Sequence, residues 1–203
     1  MVRQRGYLAA FLAAVIFFVG AQDAARSGSF DEAAGEFIEK LANKAVAALT
    51  IDDIPRVERV RRFRSLLNDH FDVKTIGRFA LGRYWPQASD GERAEFLNLF
   101  EDLIVDTYID RFAKYSGEAL LVTKTAITQD DDFIVFSSIN RPIGGPPIDV
   151  DWRLRLRNGN YLIIDVIVEG VSMGQTQRSE FASVIGRNGG AVKGLLAKLR
   201  DRN

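Results

Sequence analysis

Two carboxylates lie four residues apart in a nearly unbroken apolar run, where acids can act as a general acid and a general base. The run is NYLIIDVIVEGVSMG, residues 160–174, and its acids are Asp165 and Glu169. The run is typical of a strand, which places side chains four residues apart on one face with their Cα atoms about 13 Å apart. Cooperating carboxylates in glycosidases are only roughly 5–9.5 Å apart. We therefore expect each acid to act alone, unless a bend or bulge, for which Gly170 is the local candidate, brings them together.

A hairpin sets the environment of both acids. The dipeptide Asn158-Gly159 is the strongest turn signal in the chain and predicts a two-residue loop. That register pairs Trp152 with Asp165 and predicts one shared face: Val150, Trp152, Leu154, Leu156, Tyr161, Ile163, Asp165, Ile167 and Glu169. The strand that follows the turn is apolar on both faces, so we expect it away from the sheet edge.

Each acid has a structural and a functional interpretation. Asp165 is either a carboxylate that accepts bonds from an indole, a hydroxyl or a backbone group, or a ligand-facing acid of raised pKa. Glu169 lies at the strand end, before Gly170. A carboxylate there can bind backbone N–H groups of the turn or of a helix start, so we interpret Glu169 as structural.

The remaining candidates for chemistry are few. The chain has no cysteine, which excludes thiol nucleophiles and cysteine-based metal sites. A catalytic triad would depend on the single histidine, His70, which lies at a helix end where a cation is commonplace. No phosphate-binding glycine loop and no metal-ligand spacing is present, so we predict no cofactor and no metal. The arginine-rich segment RVERVRRFR, residues 56–64, is interpreted as a solvated face, with docking to an acidic partner or a lipid headgroup as the alternative.

The elements that must position these residues fall into three blocks. Apolar residues at helical spacing predict helices over residues 29–49 and from about residue 55 to residue 70, the second capped by Asp52 or Asp53. A short helix follows with Asp72 as its N-cap, and Ser89 with Glu92 forms a capping box that opens the longest helix, to about Tyr115. Four segments of period two then predict strands, and helical spacing returns twice after Gly174. Helices, an antiparallel sheet and more helices indicate one α+β domain.

The N-terminus predicts export. A short basic region precedes the apolar run LAAFLAAVIFFVG, and small residues suit cleavage after Ala21. We therefore predict a signal peptide over residues 1–21, one domain over 22–203 and a periplasmic location, with an uncleaved anchor as the alternative. The balance of 27 basic and 27 acidic residues gives no field that would favour nucleic acid.

Two blocks of sequence resemble the MlaC family, also called toluene-tolerance auxiliary proteins. The more specific block is DVIVEGVSM leading to QRSEFASVI and GLLAKL; LGRYW with the following S, ER and F positions is the second. The resemblance covers about residues 30–199. It implies a periplasmic phospholipid carrier with an apolar pocket between helices and a curved sheet, no catalytic residues, and a role in outer-membrane lipid asymmetry.

The resemblance also implies partners. These are an outer-membrane lipoprotein–porin complex and an inner-membrane ABC transporter with an MCE-type subunit. A hopanoid or related isoprenoid lipid is the alternative cargo. The pocket residues that we predict come from helix faces and from the shared sheet face: Phe79, Trp85, Phe100, Leu103, Tyr108, Phe112, Trp152, Leu154, Ile163, Asp165 and Ile167.

Two other classes of function stay open at this point. One is a small cavity enzyme that uses Asp165 as a lone general base. The other is a periplasmic adaptor with a filled core that binds no small ligand.

Overall fold

The computed structural model describes residues 21–128, 130, 132–142 and 144–202, with side chains from residue 32 onward. The predicted signal segment lies outside the described residues, apart from the backbone of Ala21. No helix in the part of the chain that the structure describes combines the length and the hydropathy needed to cross a membrane.

The first half of the chain is helical. It consists of α1 (Ala21–Leu49), α2 (Arg56–His70), α3 (Val73–Leu81), a 3₁₀ helix (Gly82–Gln87) and α4 (Asp90–Phe112). Two predicted caps are confirmed, because the Asp72 carboxylate accepts the Thr75 N–H and Ser89 forms a reciprocal capping box with Glu92. These caps satisfy N–H groups that a helix start leaves without partners, and so fix where α3 and α4 begin.

The predicted cap of α2 is wrong. Pro55 occupies the N-cap position without a side-chain bond, and Asp53 adopts a left-handed backbone conformation with φ of 57°. The chain turns sharply between α1 and α2. Glu58, in the first turn of α2, provides the negative charge that favours a helix N-terminus.

The second half forms the sheet and two further helices. The strands are β1 (Ala119–Ile127), β2 (Phe133–Asn140), β3 (Ile148–Arg157), β4 (Asn160–Val168) and β5 (Val171–Ser172). They pair antiparallel in the order β1-β2-β3-β4-β5, so the predicted α+β class is confirmed and a short fifth strand is added. β4 lies inside the sheet, as its two apolar faces predict. The chain ends in α5 (Met173–Arg187) and α6 (Val192–Arg200).

The hairpin register is correct near the turn and wrong beyond it. Asn158 and Gly159 both have positive φ, as a tight hairpin turn requires, and Leu154 pairs with Ile163 as predicted. A β-bulge then follows, so that Arg153 pairs with Asp165 and Trp152 pairs with Val166. The bulge adds one residue to β4. Because side chains alternate between faces, Asp165 and Ile167 lie on the face opposite to Trp152, which corrects the predicted shared face.

Most of the buried apolar residues belong to two separate clusters. The sheet cluster joins α1 and α2 to one face of β2, β3 and β4: Ala34, Ile38, Leu41, Leu49, Leu66, Phe133, Val135, Leu154 and Ile163. The helical cluster joins α3, the 3₁₀ helix, α4, α5 and α6: Ala80, Leu81, Tyr84, Ala88, Phe96, Phe100, Leu103, Phe181, Val184, Ile185, Val192, Leu195, Leu196 and Leu199.

Candidate functional site: an apolar cavity between two helices and the sheet

A cavity of about 500 Å³ lies inside the sheet cluster. Most of its wall is apolar and comes from α1, α2, the end of α4 and the sheet: Ile38, Leu41, Ala42, Ala45, Val46, Leu49, Phe63, Leu66, Leu67, Phe71, Phe112, Ala119, Leu120, Ile139 and Trp152. Small-molecule sites have volumes of roughly 300–1,000 Å³ and predominantly apolar walls. The size and the wall therefore suit an apolar ligand.

Four polar residues also line the cavity. Glu39 and Asn43 lie one helical turn apart on α1 and are exposed, whereas Tyr115 and Glu118, between α4 and β1, are half-buried. None of these four is buried, so we assign them to the solvent-facing part of the lining. We call them the rim. The backbone N–H and the hydroxyl of Ser116 donate to the Glu118 carboxylate, and the backbone bond is the main reason that its pKa is lowered.

The indole at the sheet wall is held by a hydrogen-bond chain. Trp152 Nε1 donates to Ser137 Oγ over 3.1 Å, and the Ser137 hydroxyl donates to the carbonyl of Val150. Both polar groups of this apolar wall are thereby paired inside the protein. The ring of Trp152 is free to contact a ligand through its faces without exposing an unpaired donor.

Arginines of α2 brace the walls of the cavity. Arg59 and Arg62 donate to the carbonyls of Leu49 and Ala48, at the C-terminal end of α1. Such bonds satisfy carbonyls that a helix end leaves without partners. Arg64 donates to the carboxylates of Glu101 and Asp102 on α4, at 2.7 Å each.

The arginine-rich segment is therefore tied down by intramolecular bonds. Arg61 pairs with Glu58 at 2.7 Å, and Arg56 lies 3.4–3.5 Å from Asp110 and Asp106. The Arg61 pair lies within α2, whereas the Arg56 pairs hold α2 to α4. The alternative of docking to an acidic partner gains no support from them.

The predicted pocket residues separate into three groups. Phe112 and Trp152 line the cavity, and Leu154 and Ile163 are fully buried in the sheet cluster without reaching the cavity surface. The others lie elsewhere, in or beside the helical cluster, on the outer surface or on the opposite sheet face: Phe79, Trp85, Phe100, Leu103, Tyr108, Asp165 and Ile167.

Asp165 joins the sheet to α5. One carboxylate oxygen accepts the backbone N–H of Val166 at 2.9 Å and that of Gly174 at 3.0 Å, and the other accepts the Ser172 hydroxyl at 2.6 Å. Ser172 is in turn the N-cap of α5. The structural interpretation of Asp165, with a hydroxyl and backbone donors, matches this geometry. The indole of Trp152 is bonded elsewhere.

Glu169 and His70 also have structural partners. Glu169 accepts the Asp149 backbone N–H at 2.8 Å, so its partner lies on the neighbouring strand and not in the turn or a helix start. His70 Nδ1 lies 2.9 Å from the Leu66 carbonyl at the end of α2, and the His70 ring lies beside that of Phe37. Asp165 and Glu169 thus have separate partners, as the strand spacing predicts.

The sequence analysis missed the contribution of α1. Six apolar residues of this helix line the cavity: Ile38, Leu41, Ala42, Ala45, Val46 and Leu49. Their helical spacing is visible in the sequence. The signal that distinguishes them is the small size of Ala42 and Ala45, because small side chains facing a sheet leave volume unfilled.

A second depression, of about 660 Å³, lies between α5 and α6. Polar and charged residues form much of its border, among them Gln177, Glu180, Asn188 and Lys198. Water can solvate these groups, so this groove does not offer the apolar enclosure that the first cavity provides.

Comparison with known proteins identifies the family. A family model described as MlaC protein matches residues 39–201. The chain belongs to the MlaC family. One relative, the MlaC binding protein of the intermembrane phospholipid transport system of Haemophilus influenzae, is 24% identical over 141 residues. That match spans 68% of this chain and 65% of the relative.

The fold of the MlaC family is recognisable in a solved structure. A phospholipid-binding protein from Ralstonia solanacearum, determined in complex with a phospholipid, superimposes with a TM-score of 0.73 at 24% sequence identity. The similarity covers 83% of this chain and 96% of that one. The α1–α2–sheet arrangement described above therefore belongs to a fold shared with that protein.

Proposed function

We propose that this chain binds a phospholipid by its acyl chains in the α1–α2–sheet cavity and carries it through the periplasm. The observation that supports this most is a 500 Å³ apolar cavity with one polar rim in a chain of the MlaC family. The Haemophilus relative is named for intermembrane phospholipid transport, and the Ralstonia protein was solved with a phospholipid.

The size of the cavity sets how much lipid it shields. A water molecule occupies about 30 Å³ in the liquid, and a methylene group is of similar size, so ~500 Å³ holds roughly sixteen methylene groups. That is about one long acyl chain. Each buried methylene contributes about 0.8 kcal/mol of binding free energy. Burying one acyl chain therefore contributes on the order of 10 kcal/mol before the costs of association.

A lipid with two acyl chains needs more room than this. The second chain requires one wall to move outwards. We assign that movement to α1, because this helix contributes six of the apolar lining residues, among them the small Ala42 and Ala45. The headgroup stays at the rim, since burying a charged group without a partner is costly.

The carrier acts without catalysis in this proposal. Asp165, the lone candidate for a general base, lies on the opposite face of the sheet from Trp152 and is occupied by three donors. A base must reach the proton that it abstracts. The cavity wall offers apolar contact instead, which suits binding and release.

Location and partners complete the proposal. A signal peptide over residues 1–21 would deliver the protein to the periplasm. There it would exchange lipid with an outer-membrane lipoprotein–porin complex and an inner-membrane MCE-type ABC transporter, and so maintain lipid asymmetry. Family membership supports this assignment.

Transfer of a fluorescent phospholipid between vesicles tests the proposal. Ala45→Phe fills the cavity, and we expect it to lower the transfer rate at least about tenfold because acyl chains lose their space. Ala47→Phe is the matched control, since Ala47 is exposed on the same helix and does not line the cavity. Wild-type protein that transfers no faster than buffer would refute the proposal, as would an unimpaired Ala45→Phe variant.

A further inference from the structure

The charged residues of the rim have the same sign as a phospholipid phosphate. The cavity has two charged lining residues, Glu39 and Glu118, and both are acids. Within the described part of the chain, no lysine or arginine lines the cavity. Lys44 and Lys114 neighbour rim residues in sequence, yet neither belongs to the lining.

Neither rim acid has a cationic partner in the cavity lining. The pKa of Glu118 is held below its usual value because the Ser116 backbone N–H donates to the carboxylate. Glu39 is exposed and forms no ion pair among the described residues. The nearest basic residue in sequence, Lys40, instead bonds to Glu36 at 2.6 Å. The rim charge is therefore not neutralised by the lining.

We propose that Glu39 and Glu118 make the carrier prefer phospholipids whose headgroup ends in a cation over phospholipids of net negative charge. This rests on the proposed function, because the cavity is the site and the two acids only tune it. An ammonium group at the end of a headgroup can pair with the rim carboxylates. A headgroup with a phosphate as its only charge meets like charge and no partner.

The expected preference is modest because the rim is open to water. Exposed ion pairs contribute little individually, and two such contacts correspond to about a fivefold preference. Salt screens interactions between exposed charges, so the preference should shrink as ionic strength rises. Apolar contacts in the cavity would continue to hold either lipid.

Competition between two lipids tests this inference. Delipidated protein is incubated with vesicles containing equal amounts of phosphatidylethanolamine and phosphatidylglycerol with identical acyl chains, and bound lipid is counted by native mass spectrometry. We expect about a fivefold excess of phosphatidylethanolamine on the wild type. The double variant Glu39→Gln/Glu118→Gln should bind both lipids about equally.

Glu32→Gln is the matched control, because Glu32 is an exposed acid of the same helix that does not line the cavity. It should retain the wild-type ratio. Equal binding of both lipids by the wild type, or an unchanged ratio in the double variant, would overturn the inference and leave the carrier function standing. Protein that binds neither lipid would instead contradict the carrier function, and this inference with it.

Discussion

The helical cluster and the sheet cluster are built from similar apolar residues, but only the sheet cluster leaves a space between them. In the helical cluster, Phe96 stacks on Phe100 and both contact the edge of Phe181, with ring centroids 5.6–6.0 Å apart. At Gly77 an added Cβ would lie 2.7 Å from a methyl group of Leu97, so α3 and α4 leave no space between them. The sheet cluster instead surrounds a cavity of about 500 Å³.

This difference separates stability from function. A well-packed interior gains dispersion contacts on every side of each residue, whereas a cavity wall forgoes them on the empty side. We infer that the helical cluster supplies the stability that allows the sheet cluster to remain unfilled. The predictions below test that division.

The largest effect should come from truncating a leucine in the filled cluster. Leu196→Ala is expected to lower the free energy of unfolding by about 3–5 kcal/mol, because Leu196 is 1% exposed and its removal creates a new void. Leu41→Ala, at the cavity wall, should cost only about 1–2 kcal/mol, because a space already lies beside the side chain. Urea denaturation of delipidated protein measures both.

Equal costs for the two leucines would contradict the division between a filled and an unfilled cluster. A larger cost at Leu41 would reverse it. Lipid transfer adds a second readout, since Leu41→Ala changes the cavity wall and Leu196→Ala does not.

The second effect concerns Asp165, which joins the sheet to α5 of the helical cluster. Asp165→Ala should lower the free energy of unfolding by about 2–4 kcal/mol, because the N–H groups of Val166 and Gly174 lose a charged acceptor. Asp165→Asn keeps one acceptor oxygen and should cost less. Thermal unfolding of each variant measures the loss.

Asp165→Asn should leave lipid transfer unchanged. Loss of transfer in a variant that remains folded would show that Asp165 acts on the cargo, contrary to its placement on the opposite face of the sheet from the cavity.

The smallest effect is the pH dependence of the stability that two surface ion pairs contribute, one at Glu58 and one at Glu95. Bonds from Arg61 and Arg62 lower the pKa of Glu58 to about 2, and a bond from Arg200 lowers that of Glu95. A carboxyl whose pKa is lower in the folded state stabilises the folded protein at pH values above its unfolded-state pKa of 4.5. The contribution of Glu58 is lost as the pH falls from 4.5 towards 2.

Glu58→Gln and Glu95→Gln should each reduce the loss of stability between about pH 6 and about pH 3. Denaturation midpoints at the two pH values measure this. Both acids are half-buried at the surface, where solvent screens their ion pairs, so each change should be small. A change as large as that of Leu196→Ala would contradict the account.

The sequence predicts the elements better than their faces. Capping residues such as Ser89 and Asp72, and the Asn158-Gly159 turn, act on adjacent backbone groups, so local sequence is sufficient to place them. The bulge in β4 has no such signal. Ile163 and Ile164 are both apolar, and a strand that is apolar on both faces does not reveal where its alternation shifts.

The cavity was harder to assign for a related reason. Helical periodicity shows that α1, α3 and α4 each have an apolar face, but not which face meets which partner. Phe79 and Phe100 were therefore predicted for the cavity although Phe100 lies in the helical cluster and Phe79 is 42% exposed. Phe112 and Trp152 line the cavity because the end of α4 and the centre of β3 both face it.

The most direct test is to identify the lipid that copurifies with the protein. Native mass spectrometry of protein purified under mild conditions, followed by organic extraction, should reveal about one bound phospholipid per chain, and Ala45→Phe should carry much less. A hopanoid in its place would retain the carrier and change the cargo. Protein that is free of lipid, and that takes up none from vesicles, would contradict the central claim.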